Sequence, residues 1–187
     1  MQAESMQGGF TNAPIDAAIA FRAAIDAMSR PGTVHEVKGA SAPEPMSTAA
    51  AVLAMTLCDP ETPVWLAPSL DSDTIRGWFR FQTGAPLVGR ADAMFAFGQW
   101  GEMLPITDFR IGTPEYPDRS ASLVVEVAEI GEAHSLSGPG IRDVASLTVP
   151  DLRAFQLNAA LFPLGLDFFL CAGDRLAALP RTTQVEG

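Results

Sequence analysis

The sequence predicts an α/β domain with a mixed central sheet, and three observations lead there. Apolar patterns of helical period alternate with short apolar strands, the C-terminal third closes in antiparallel hairpin signals, and length and composition suit a single core. At 187 residues the chain fits one domain, large enough to bury about 70% of its unfolded surface. That domain is expected over residues 13–187, with the polar, Gly-containing residues 1–12 frayed.

Each element has its own signal. In residues 14–28, Phe21, Ala24, Ile25 and Met28 fall at i, i+3, i+4, i+7, the apolar face of an amphipathic helix, and Pro14 is tolerated in the first turn. Arg30-Pro31-Gly32 stops that helix. Residues 33–38 alternate enough for a strand, and residues 39–45 form a Pro-containing loop. Ser47 caps a second helix through Ala49, Val52, Leu53 and Leu57. Val64-Trp65-Leu66, boxed by Pro63 and Pro68, reads as a short buried strand, and Asp71 as the cap of a third helix through Ile75, Trp78 and Phe79.

Residues 94–97 suit a strand, whereas residues 101–118 carry too many turn formers for a regular element. Residues 123–130 and 133–136 flank Gly131-Glu132, which reads as a hairpin turn. Asp151 caps a helix through Leu152, Phe155, Leu157 and Leu161, ended by Pro163. Residues 166–171 and 175–179, joined across Ala172-Gly173-Asp174, form a closing hairpin that sets Asp167 near Arg181-Thr182-Thr183.

Composition excludes several function classes. A net charge of −10, from 22 acids and 12 bases with no basic run, disfavours nucleic acid and anionic membrane surfaces. No apolar run reaches the roughly 20 residues that cross a bilayer, and the N-terminus lacks the pattern of a signal peptide, so the expected location is the cytoplasm. Only 18% charged residues against 48% hydrophobic ones suggests apolar surface covered by a partner. Cys58 and Cys171 each end an apolar run, as buried reduced thiols do.

Catalytic motifs are absent. His35 and His134, the only histidines, have no second His or Cys at ligand spacing, so no metal is expected; His134, beside Glu132, reads as a surface or interface histidine rather than an acid or base. Asp71-Ser72-Asp73 lacks the glycine and later glutamate of a calcium loop. Gly138-Pro139-Gly140 lacks the third glycine of a dinucleotide fingerprint and reads as a turn or a ligand cradle.

Several ordered segments nevertheless form a recognisable set: Ala27-Met28-Ser29-Arg30-Pro31-Gly32, residues 59–66, residues 80–88, Leu136-Ser137-Gly138-Pro139-Gly140-Ile141, Phe162-Pro163-Leu164-Gly165-Leu166-Asp167 and Leu179-Pro180-Arg181-Thr182-Thr183. Over residues 15–186 the chain resembles the PhnH subunit family of the bacterial carbon–phosphorus lyase complex, with residues 91–120 matching least. The resemblance implies a three-layer α/β/α domain distantly similar to the large domain of pyridoxal-phosphate-dependent transferases. That cofactor needs a Schiff-base lysine, and Lys38, the only lysine, sits in a solvated context, so no pyridoxal phosphate is expected.

The resemblance also implies an accessory subunit that supports formation of ribose 1-alkylphosphonate 5-triphosphate from ATP and alkylphosphonate. ATP and magnesium would enter as substrate of the assembled complex, whose partners are PhnG-, PhnI- and PhnJ-type subunits, with the catalytic centre mainly on the PhnI type. A homodimer is expected, and the isolated chain is expected to be inactive. An alternative gives the chain its own phosphonate- or nucleotide-binding cleft at the dimer interface, contacted by Arg181, Thr182, Thr183, Asp167, Gly138 and Gly140. Guanidinium binds phosphonate bidentately, and Asp167 would orient Arg181; the same residues equally make a stabilising ion pair. A third reading is a solitary sensor or storage domain.

Overall fold

The computed structural model describes residues 7–187. Its elements in chain order are α1 (Ala13–Ser29), β1 (His35–Glu36), α2 (Thr48–Leu57), β2 (Val64–Leu66), α3 (Asp73–Gln82), β3 (Phe95–Gln99), α4 (Trp100–Met103), β4 (Ser122–Glu126), β5 (His134–Ser137), β6 (Ala145–Leu147), α5 (Leu152–Ala159), β7 (Asp167–Ala172), β8 (Arg175–Leu179) and β9 (Gln184–Glu186). A six-stranded mixed sheet runs in the order β1-β8-β7-β4-β3-β2. β2, β3, β4 and β7 are mutually parallel; β8 lies antiparallel to β7, and β1 antiparallel to β8. A smaller antiparallel sheet has the order β6-β5-β9.

The parallel strands are apolar without alternation because neither face meets water. Leu123, Val124 and Val125 of β4 are all fully buried. Val124 faces α1, α2 and α3 together with Phe97 and Phe169, while Leu123 and Val125 face Met103 of α4, Phe155 of α5 and the small sheet, together with Phe168. A covering layer therefore lies on each face of the large sheet. Each fully buried Leu, Val or Phe side chain contributes about 1.5–3 kcal/mol through surface removed from water.

Local chemistry starts the helices. Ser47 Oγ accepts from the Ala50 N–H and Asp151 Oδ1 from the Ala154 N–H, as expected. The cap of α3 is Ser72, not Asp71, which instead pairs with Arg76. β7 and β8 form the expected hairpin.

Three further expectations are corrected. The buried face of α1 is Ala20, Ala24 and Ala27; Phe21 and Ile25 are each 49% exposed. α1 packs against both α2 and β8, and small side chains permit that approach. Residues 123–130 and 133–136 do not pair with each other: β4 joins β3 and β7, while β5 joins β6 and β9. A strand buried on both faces is more strongly satisfied at the centre of a sheet than in a hairpin with the half-exposed β5. Within residues 101–118, α4 and short 3-10 turns do form.

Of the N-terminal segment expected to fray, residues 1–6 lie outside the described residues. The Gln7 carbonyl accepts from the Trp78 indole at 3.2 Å, and the Gly8 carbonyl from the Ser41 N–H at 2.8 Å. Among the described residues no helix is long and apolar enough to cross a membrane. Cys58 and Cys171 are free and buried, and desolvation pushes both thiols far above their ordinary range.

Leu123→Ala should remove about 2–5 kcal/mol of stability, read as a lower guanidinium chloride midpoint with an unchanged slope.

Candidate functional site

At the C-terminal ends of β3, β4 and β7, where ligands bind in open α/β sheets, a cleft of about 920 Å³ opens. Gln99, Glu126 and Gly173 mark the three strand ends. The facing wall is residues 41–48, the loop that leads into α2. Trp100 forms part of the rim and stacks on Phe155 with ring centroids 5.4 Å apart, which fixes the indole.

The first turn of α2 would be an anion site if its N–H groups were open. Three of them are not: the Ser47 N–H donates to Glu126 Oε1 at 2.8 Å, the Ala49 N–H to the Gly173 carbonyl at 2.8 Å, and the Ala50 N–H to Ser47 Oγ at 3.1 Å. Glu126 thus joins the end of β4 to the start of α2. Burial raises its carboxyl pKa above the ordinary 4.5; Ser47 pulls the other way and Glu44 adds a further push upward. The charged residues lining the cleft, Glu44, Glu126 and Glu129, are all acidic. Such a cleft suits neutral or cationic groups and repels a bare phosphonate or triphosphate.

No cluster of three His, Cys, Asp or Glu residues placed to hold a metal occurs among the described residues. Lys38 is exposed and lies outside the cleft lining. His134 is a structural acceptor, its Nδ1 taking the Val149 N–H at 3.1 Å.

The candidate residues named from sequence lie at the other end of the sheet. Asp167 begins β7, about 17 Å of strand from the cleft at 3.3 Å per residue. Arg181 does meet it: the backbone N–H and Nε both donate to Asp167 Oδ1, at 2.9 and 3.1 Å, and Nη2 donates to Oδ2 at 2.5 Å. Nη1 donates to the carbonyls of Pro117 and Pro163, and Nη2 also to Ser120 Oγ. All five guanidinium N–H donors are engaged within the chain, which leaves none for an oxyanion.

Gly138 and Gly140 are also packed. Gly138 has φ +127°, and a Cβ there would stand 3.0 Å from the Thr182 carbonyl. Gly140 has φ +85°, and a Cβ would come within 2.0 Å of the Ser29 carbonyl. The loop therefore lies between the end of α1 and the turn of Arg181, Thr182 and buried Thr183, whose hydroxyl has no partner among the described residues.

Residues 8–186 match the family described as bacterial phosphonate metabolism protein, PhnH. The chain belongs to the PhnH family. It is 39% identical over 195 aligned positions to the alpha-D-ribose 1-methylphosphonate 5-triphosphate synthase subunit PhnH of Rhizobium meliloti (strain 1021), covering 99% of this chain and 98% of that one. It is 32% identical over 176 positions to the putative C-P lyase subunit protein HtxG of Stutzerimonas stutzeri, covering 89% and 84%.

Three of the PhnH segments quoted from the sequence thus converge as packing: residues 27–32, 136–141 and 179–183. The cleft residues Glu44, Trp100 and Glu126 share no sequence signal because they come from a loop, the start of α4 and the end of β4, each ordinary in isolation. The available signal was Glu126 itself, a carboxylate closing a strand whose three inner residues are all apolar.

Two outcomes follow from this geometry. Between the ordinary carboxyl value and the raised folded-state value of Glu126, the native chain binds more protons than the unfolded one, so stability declines as pH rises through that window. Glu126→Gln, which keeps an acceptor for Ser47, should remove that decline, checked by urea titrations across pH 4–7 at about one-unit steps. Arg181→Ala leaves the Asp167 carboxylate without its counter-charge where the pair is only 12% and 24% exposed, and should cost about 3 kcal/mol or more in the same titration.

Proposed function

We propose that this chain is a PhnH-type accessory subunit of the assembly that forms ribose 1-alkylphosphonate 5-triphosphate from ATP and an alkylphosphonate in the cytoplasm. It would be a non-catalytic partner of PhnG-, PhnI- and PhnJ-type subunits. The observation that carries this reading is the near-complete, 39% identical match to a protein named as a subunit of that synthase. The acidic cleft supports it chemically: an ATP or phosphonate group there needs positive charge that the lining residues do not supply, and other subunits or magnesium would bring it.

A homodimer belongs to the same proposal. Ile15 and Ile19 of α1 are 56% and 66% exposed, and farther along the same helix a groove of about 320 Å³ is walled by Phe21, Ile25 and Met28 together with Leu57 of α2. Knobs and groove on one helix are self-complementary under a two-fold axis, so a second copy is the fitting occupant. Ile19→Asp should then halve the particle mass of the isolated protein by light scattering while leaving its circular dichroism unchanged.

The size and position of the cleft favour a second reading, in which the chain itself binds ATP or alkylphosphonate. Co-expression with the three partner types separates the two. A stoichiometric assembly, with no calorimetric heat from millimolar ATP–magnesium or methylphosphonate on the isolated chain, supports the accessory role. Heat of binding together with a lone particle supports the second.

A further inference from the structure

The edge of the large sheet beyond β2 carries a recognition feature that the subunit reading does not use. Residues 86–88 lie alongside β2: the Val64 N–H donates to the Pro86 carbonyl and the Val88 N–H to the Val64 carbonyl, both at 2.9 Å, with Leu87 bridged in parallel to Val64. In such a bridge the N–H and C=O of the middle residue point away from the paired strand. Leu87 therefore turns one donor and one acceptor outward, and neither has a partner among the described residues. Two adjoining cavities of about 300 and 280 Å³, which share Leu87 and Arg76, keep the space beside this edge open.

The side chains over that edge are cationic. Arg76 and Arg80 come from successive turns of α3 and line the second cavity. Asp71 holds Arg76 through two of its nitrogens, which fixes the guanidinium. Arg80 is exposed and makes no ion pair among the described residues. A free anion would use the Leu87 N–H and the arginines but leave the Leu87 carbonyl unanswered. An extended peptide answers both.

We infer that residues 86–88 are a docking edge for an extended segment of a partner subunit, which adds to the sheet through Leu87 and places an acidic side chain on Arg80. The inference rests on the proposal that the chain is a subunit. It requires no movement of the sheet, since the edge groups have no partner among the described residues and border two cavities.

Amide hydrogen exchange on the free chain and on the assembly co-expressed with PhnG-, PhnI- and PhnJ-type subunits tests it. In the free chain the Leu87 amide should exchange rapidly while that of Val88 is protected; on assembly Leu87 should slow by about tenfold or more. Leu87→Pro, which deletes the outward donor at an edge where proline is tolerated, and Arg80→Glu should each weaken assembly by about tenfold with the fold intact. Assembly with an unprotected Leu87, or unimpaired by both variants, overturns the docking edge and leaves the subunit reading standing. Protection of Leu87 in the free chain by phosphate or methylphosphonate alone overturns it in favour of an anion pocket. Failure of the wild-type chain to assemble removes both readings.

Discussion

Burial of both faces of β4 is the constraint on which the rest of this structure depends. A strand with no wet face must have every backbone polar group paired by neighbouring strands and an apolar layer on each side. β3 and β7 supply the pairing; α1–α3 supply one layer, and α4, α5 and the small sheet supply the other. Polar chemistry is thereby pushed to the strand ends. At one end the chain leaves the sheet around a cleft, and at the other Arg181 ties the start of β7 to the loop that enters β4.

These two ends use their residues differently. At the Arg181 end, side chains capable of binding a ligand are spent on holding the fold: the guanidinium satisfies a carboxylate, carbonyls and a hydroxyl, and the glycines of residues 138–140 admit backbone at close range. At the cleft end, the side chains are sparse and acidic, and the N–H groups of Ser47, Ala49 and Ala50 at the start of α2 are closed by Glu126, Gly173 and Ser47. Segments that identify a family need not mark where its ligand sits, because a turn requiring positive φ or a fully engaged arginine restricts sequence as strongly as catalysis does.

Local signals in the sequence suffice where a short-range interaction decides the outcome. The Ser47 and Asp151 caps, the β7–β8 hairpin and the approach of Asp167 to Arg181 are all such cases. Long-range competition defeated the rest. Gly131-Glu132 is a good two-residue turn, yet residues 123–125 gain more at the centre of the large sheet. The i, i+3, i+4 pattern of Phe21, Ala24 and Ile25 is genuine, but alanines take the inner face because α1 lies against both α2 and β8. β6 and β9 are too short to announce themselves, and the cleft draws on loops whose adjacency only the sheet order creates.

The two buried thiols have a practical consequence for studying this chain. Cys58 and Cys171 are held protonated by desolvation and shielded from solvent, so neither offers the thiolate that alkylating reagents attack. A cysteine introduced at the surface would then be the sole position to react under native conditions. Fluorophores and spin labels can be attached one at a time without first stripping native cysteines from the core, so distances within any larger particle can be measured on an otherwise unaltered chain.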